Sequence, residues 1–154
     1  MKLAFYKGNS LVSHLIRWKT RGPYSHVAVM FDNGGILEAW QGSDSVRWID
    51  SLSDGHTPGT AVDVYSVNVG YDELDAYLFA RSKVGQPYGY RTVLKFLTYT
   101  SGDDPASWIC SEIALEVVRK AGVDLLSRVD AYKVSPVMLS WSPLLTLEKT
   151  VVTQ

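Results

Sequence analysis

The stretch HVAVMF-DNGG-ILEAW, residues 26–40, constrains this chain more than any other. Two runs rich in β-branched and aromatic residues flank Asp-Asn-Gly-Gly, which predicts an antiparallel hairpin. A three-residue loop, Asp32-Asn33-Gly34, with Gly34 in the left-handed conformation, pairs Phe31 with Gly35. In that register His26 stands opposite Trp40, and Ala28 opposite Glu38. Side chains alternate along a strand, so His26, Ala28, Glu38 and Trp40 share one face. The diagonal from His26 to Glu38 is roughly 7–8 Å between backbones, a gap that a glutamate bridges across a small residue such as Ala28. A four-residue loop, Asp32 to Gly35, slips the register and sends Glu38 to the other face. Asp32, Asp50 and Gln41 are then the remaining candidates to hold the His26 ring.

His26 opens an apolar strand, where a charged ring is desolvated and needs a partner. Two readings follow: a neutral imidazole bonded to a carbonyl, or a base paired with a nucleophile elsewhere. The other two histidines, His14 and His56, are its rivals for the second role.

The rest of the chain reads as alternating short elements punctuated by glycine and proline, with no repeat, linker or low-complexity tract. Residues 3–6 predict a strand. Ser10 caps a helix with Leu11, Leu15 and Trp18 at helical spacing. Residues 60–67 predict another strand, and Asp72 caps a helix in which Leu74, Leu78 and Val84 are apolar positions and Gly85 follows the end. In CSEIALEVVRKAG, from Cys110, the residues Ile113, Ala114, Val117, Val118 and Ala121 form one stripe, and Gly122 terminates it. LLTLEKTVV, residues 144–152, predicts a last strand. Helices and strands do not alternate as βαβ units, so the fold class is α+β. At 154 residues the chain forms a single domain, residues 1–154.

Cys110 is the one cysteine, which excludes an internal disulfide and a multi-thiolate zinc site. Its place at a helix start suits a thiolate, because unpaired N–H groups and the positive dipole end stabilise negative charge there. The same N–H groups can form half of an oxyanion hole. The competing reading is a core cysteine on the apolar stripe. The net charge is −1, which gives no electrostatic case for nucleic acid or an anionic membrane. No apolar run approaches the roughly 18 residues of a membrane helix, and the opening MKLAFYKGNS lacks a signal-peptide core. The expectation is a chain that is cytoplasmic where synthesised, with release by lysis or in a particle as routes outward. The three histidines show no ligand spacing, so no metal or other cofactor is expected.

The ordered set YSHVAV, Glu38 twelve positions after His26, VGQPYGY (84–90) and a Cys-Ser-Glu helix start resembles the circularly permuted papain-like fold. In that group the histidine strand precedes the cysteine helix, and an antiparallel sheet packs against the helix bearing the cysteine. The group includes YiiX-like proteins, permuted relatives of NlpC-type cell-wall peptidases, and the lecithin retinol acyltransferase family. The acyltransferases usually carry a second histidine where Glu38 stands; glutamate matches the YiiX-like branch. The resemblance spans about residues 22–122. It implies a cysteine hydrolase (peptidase or amidase) or acyltransferase in which Cys110 attacks an amide or ester carbonyl, His26 moves the proton and Glu38 orients His26. The N–H of Cys110 is one oxyanion donor, and Tyr24 and Tyr88 are candidates for a second. Trp40, Trp48, Trp108 and Tyr90 are candidate cleft walls, Trp108 foremost. Candidate substrates are a peptide, a peptidoglycan-like peptide or a lipid acyl group. A module that keeps the fold for binding or structure, without turnover, is the alternative.

Overall fold

The protein is described from a computed structural model, over residues 1–93 and 106–154. Its centre is a six-stranded antiparallel sheet in the order β4-β3-β2-β1-β5-β6. The strands are β1 (Lys2–Tyr6), β2 (His26–Met30), β3 (Ile36–Trp40), β4 (Ser45–Ile49), β5 (Ala61–Val67) and β6 (Leu145–Val152). Among the described residues the helices are α1 (Leu11–Thr20), α2 (Glu73–Lys83), α3 (Cys110–Lys120) and α4 (Pro136–Ser140), with 3-10 turns at Gln41–Ser43 and Ala131–Lys133, and residues 90–93 are also helical. An α+β architecture is therefore observed, with the Cys110 helix laid across β2 and β3.

The β2–β3 turn takes the three-residue form. Phe31 N–H donates to the Gly35 carbonyl at 2.8 Å, Gly34 has φ of 98°, and Met30 pairs with Ile36. The two glycines serve different ends. Gly34 supplies a left-handed backbone, whereas a Cβ on Gly35 would stand 1.8 Å from the Trp48 ring.

Alternation along the strands divides the sheet into two faces. Leu3, Phe5, Val27, Val29, Leu37 and Ala39 form the larger one, covered by Ile113, Ala114, Val117 and Val118 of α3. Each large side chain buried there contributes about 1.5–3 kcal/mol. Ala4, Tyr6, Ala28, Ile36 and Val62 form a smaller cluster on the opposite face, and that face carries the His26 and Glu38 side chains. The α3 start is braced by Glu112, whose carboxylate accepts from the Ile109 N–H at 3.3 Å.

Three local features depart from the sequence-based expectation. In α2 the buried residues are Ala76 and Ala80, while Leu74, Leu78 and Val84 are exposed. Small residues let α2 pack closely on α3, so side-chain size rather than hydrophobicity selects its inner face. Strand β4, SVRWI, was not anticipated because arginine sits at its centre. The α4 turn, with Ser135 capping Met138 N–H and Pro136 at its first position, is too short for a periodic signal.

Candidate active site

The hairpin register brings His26 and Glu38 into direct contact: His26 Nε2 lies 2.5 Å from Glu38 Oε2. Glu38 is fully buried. Its other oxygen, Oε1, accepts from Arg47 Nε at 2.8 Å and Arg47 Nη2 at 2.5 Å. Arg47 is the cross-strand partner of Glu38 on β4, so β4 supplies the cation that stabilises the buried carboxylate. His56, from the loop before β5, adds a third partner, with Nε2 at 3.1 Å and 3.3 Å from the two Glu38 oxygens. Its ring stacks on Tyr6 at 4.1 Å between centroids and lies 4.3 Å from Trp40.

This cluster sets the charge states. Burial alone raises the Glu38 carboxyl, but the His26 charge and the hydrogen bonds from His26 and His56 hold it well below the usual carboxylate range. Burial favours a neutral His26; the Glu38 carboxylate and the Cys110 sulfur outweigh it and push the ring from 6.5 up to about 10. His56 moves the opposite way. Burial lowers it, and the charges of His26 and Arg47 add to that, against its hydrogen bond to Glu38. One histidine is therefore an imidazolium and its neighbour a neutral ring donating Nε2–H to the same carboxylate.

Cys110 is the first residue of α3 and is 7% exposed. Its sulfur lies beside the His26 ring and favours the ring's protonated form. With Nε2 turned to Glu38, Nδ1 is the nitrogen left for the sulfur. The N–H groups of the first helical turn have no intrahelical acceptor, so the Cys110 N–H belongs to a set of donors open at the helix start. Tyr88 packs beside the cysteine: burial first, then the Cys110 and Tyr90 charges, push its hydroxyl upward. A small cleft of about 30 Å³ opens at this point, lined by Cys110, Tyr88, Ile16, Ile109 and Val134 among others. A second cleft of about 170 Å³, on the far side of His26, is lined by Trp40, His56, Gln41, Ser13 and Thr60 among others.

Cys110, His26, Glu38, Tyr88 and Trp40 thus meet in one place. Tyr24 and Trp108 do not join them. The Tyr24 hydroxyl donates to Asp63 at 2.7 Å and meets the Tyr65 hydroxyl at 3.1 Å, on the far side of β1 from Glu38. The Trp108 indole donates to Gln86 at 2.5 Å and packs on Phe79, leaving only its backbone, bridged to Tyr88, near the site. Trp48 stacks on Phe31 within the other sheet layer, and the Tyr90 hydroxyl donates to the Gln41 carbonyl and to Asp44. Neither walls the clefts at Cys110 and His26. Gln41 lines the His26 cleft; Asp32 pairs with the Met1 amino group. His14 contacts Arg17 on α1.

The participants missed from sequence were Arg47 and His56. Arg47 was signalled only by its position opposite Glu38, which required β4 to be recognised. His56 was weighed as a rival to His26, yet the two rings flank the same carboxylate. The one ligand atom offered by each of His26, Glu38 and His56 lies within 4.8 Å of the others, a spread suited to a divalent ion. The histidine spacing in sequence had argued against any such grouping. Nitrogen and carboxylate donors of this type suit zinc and similar ions. Each is already satisfied by another, and the Arg47 guanidinium occupies Glu38 Oε1, so an ion would enter only by breaking the His26–Glu38 bond.

No known family's sequence profile matches the chain, and no curated protein matches it in sequence. In fold it is similar to the crystal structure of the metalloprotein YiiX from Escherichia coli O157:H7, with a TM-score of 0.68 over 99% of this chain and 96% of that one. The two sequences are 19% identical over that match, so what they share is an architecture running the length of both.

Proposed function

We propose that the chain is a cysteine-dependent hydrolase or acyltransferase acting on an amide or ester bond, with a permuted papain-like arrangement of Cys110, His26 and Glu38. The observation that carries this reading is the buried His26 ring bridging the Cys110 sulfur and the Glu38 carboxylate. A core cysteine would need neither neighbour.

In this mechanism the Cys110 sulfur attacks the substrate carbonyl carbon as its proton resides on His26 Nδ1. The carbonyl oxygen takes the negative charge and is met by the Cys110 N–H at the α3 start. The carbon–leaving-group bond then breaks, and the His26 proton passes to the departing amine or alcohol. A thioester remains. Water, or an acceptor hydroxyl or amine, loses its proton to His26, attacks the thioester and releases Cys110. Glu38 stays ionised throughout, fixing the ring and balancing its charge. Arg47 and His56 hold Glu38 in turn. A peptide, a peptidoglycan-like peptide and a lipid acyl group all present the required carbonyl.

The test is acyl-enzyme trapping: the protein is mixed with a p-nitrophenyl acyl ester and its intact mass recorded. The expected result is addition of one acyl group in the parent and none in Cys110→Ala. Equal addition in both would defeat the reading.

A second reading is that His26, Glu38 and His56 bind a divalent metal ion. It is favoured by their three buried donor atoms and by the fold likeness to a protein titled a metalloprotein. A metal ion on His26 Nε2 would displace the Glu38 carboxylate that orients the ring, so the readings exclude each other at any moment. Metal content of the purified protein by plasma mass spectrometry, in the parent and His56→Ala, separates them: near-stoichiometric metal lost in the variant supports a metal centre.

A further inference from the structure

Helix α1 departs from the pattern of the other long helices. None of its residues is buried, yet it is rich in large apolar side chains. Leu11, Leu15 and Trp18 recur at i, i+4 and i+7, so they stack on one side of the helix. Leu11 is 89% exposed and Trp18 75% exposed. A soluble helix ordinarily turns such a stripe inward. The segment carries Arg17, Lys19 and Arg21 at and just beyond its end, and no acidic residue. A chain of net charge −1 therefore presents a locally basic, apolar ridge. Apolar and tryptophan side chains on one face beside lysine and arginine are the composition of a helix that lies in the surface of an anionic bilayer.

The same helix borders the candidate active site. Ile16 lines the cleft beside Cys110, and Val12 and Ser13 line the passage to His26. The described lining of the Cys110 cleft is mainly apolar. Ile16, Val93, Ile109, Val134 and Pro136 supply its walls. Its three serines are spent on the backbone: Ser111 donates to the Val134 carbonyl, Ser25 accepts from the Gly8 N–H, and Ser135 accepts from the Met138 N–H. Among the described residues, no charged side chain lines it. The cleft across His26 has the opposite character, with Asn9, Ser10, Gln41, His56, Thr57 and Thr60 in its lining.

We propose that α1 is a lipid-surface docking helix, seating the protein on an anionic bilayer with the Cys110 cleft beside the bilayer surface. The docking does not rest on the thioester reading above.

The experiment is flotation of the full chain with phosphatidylcholine vesicles containing about a third phosphatidylglycerol, against vesicles of phosphatidylcholine alone. The parent is expected to float with the anionic vesicles. The double variant Leu11→Ser/Trp18→Ser, changed only at exposed positions, is expected to bind them at least about tenfold more weakly with an unaltered circular dichroism spectrum. Its acylation by a water-soluble short-chain ester is expected to match the parent. A parent that stays at the bottom of the gradient overturns the proposal, as does a double variant that floats like the parent. Sedimentation showing a parent dimer that the double variant dissolves also overturns it, because a second copy would then cover the helix. Flotation does not need the thiol, so Cys110→Ala is expected to float as the parent does. Floating without ester trapping would sink the enzymatic reading alone, and trapping without floating would sink the docking alone.

Discussion

The two faces of strand β2 carry opposite solutions to burial. Val27 and Val29 point into the apolar layer packed against α3. His26, one residue before Val27, points to the other face and joins a fully buried carboxylate, a guanidinium and a second imidazole. The first face is stabilised by area removed from water and is indifferent to pH. The second holds ionised groups together, and its integrity depends on every partner being present. A five-residue strand thus separates the scaffold from the chemistry by alternation alone.

Removing the buried charge should cost at least as much as truncating a buried aliphatic side chain. Glu38→Ala leaves the Arg47 guanidinium and the His26 ring without their shared anion, and a loss of about 3–5 kcal/mol is expected by urea denaturation. Ile113→Ala on the dry side opens a cavity under α3, with an expected loss of about 2–5 kcal/mol. An inverted order, with Glu38→Ala nearly neutral, would mean the polar cluster is solvated and the contrast between faces false.

The pH response sharpens the contrast. His26 is raised, so its contribution to stability is complete below its ordinary value of 6.5 and is lost as pH climbs through about 10. Glu38 is depressed, so its contribution is complete above 4.5 and is lost as pH falls below that. His56 is lowered, so it takes stability away as pH falls below 6.5; melting temperature should therefore be highest near 6.5 and decline toward both acid and alkaline pH. Ile113→Ala should lower the whole curve in parallel, whereas Glu38→Gln should flatten its alkaline slope. The smallest effect lies on α1, which belongs to neither face: Leu11→Ser is expected to change stability by no more than about 0.5 kcal/mol.

Much of this arrangement was legible in the sequence where local chemistry dictated it. Asp-Asn-Gly-Gly selected the hairpin loop, and with it the register that sets Glu38 against His26. The α3 stripe announced its own burial, as did Ser10 and Asp72 their helix starts. What was not legible depended on distant partners. Arg47 reaches Glu38 only because β4 returns alongside β3, and His56 arrives from a loop whose course no periodicity describes. Helical spacing located apolar stripes in α1 and α2 without revealing that both face outward. Tyr24 was a candidate oxyanion donor by resemblance alone; its hydroxyl instead satisfies Asp63.

The most direct test of the account is the rate at which iodoacetamide modifies Cys110 at pH 7 in the folded parent and in His26→Ala. With one cysteine in the chain, each modification event reports this site. The account predicts rapid labelling in the parent and a rate at least roughly tenfold slower in the variant, with both proteins folded. Equal rates in the two would contradict it, because Cys110 would then react without its histidine.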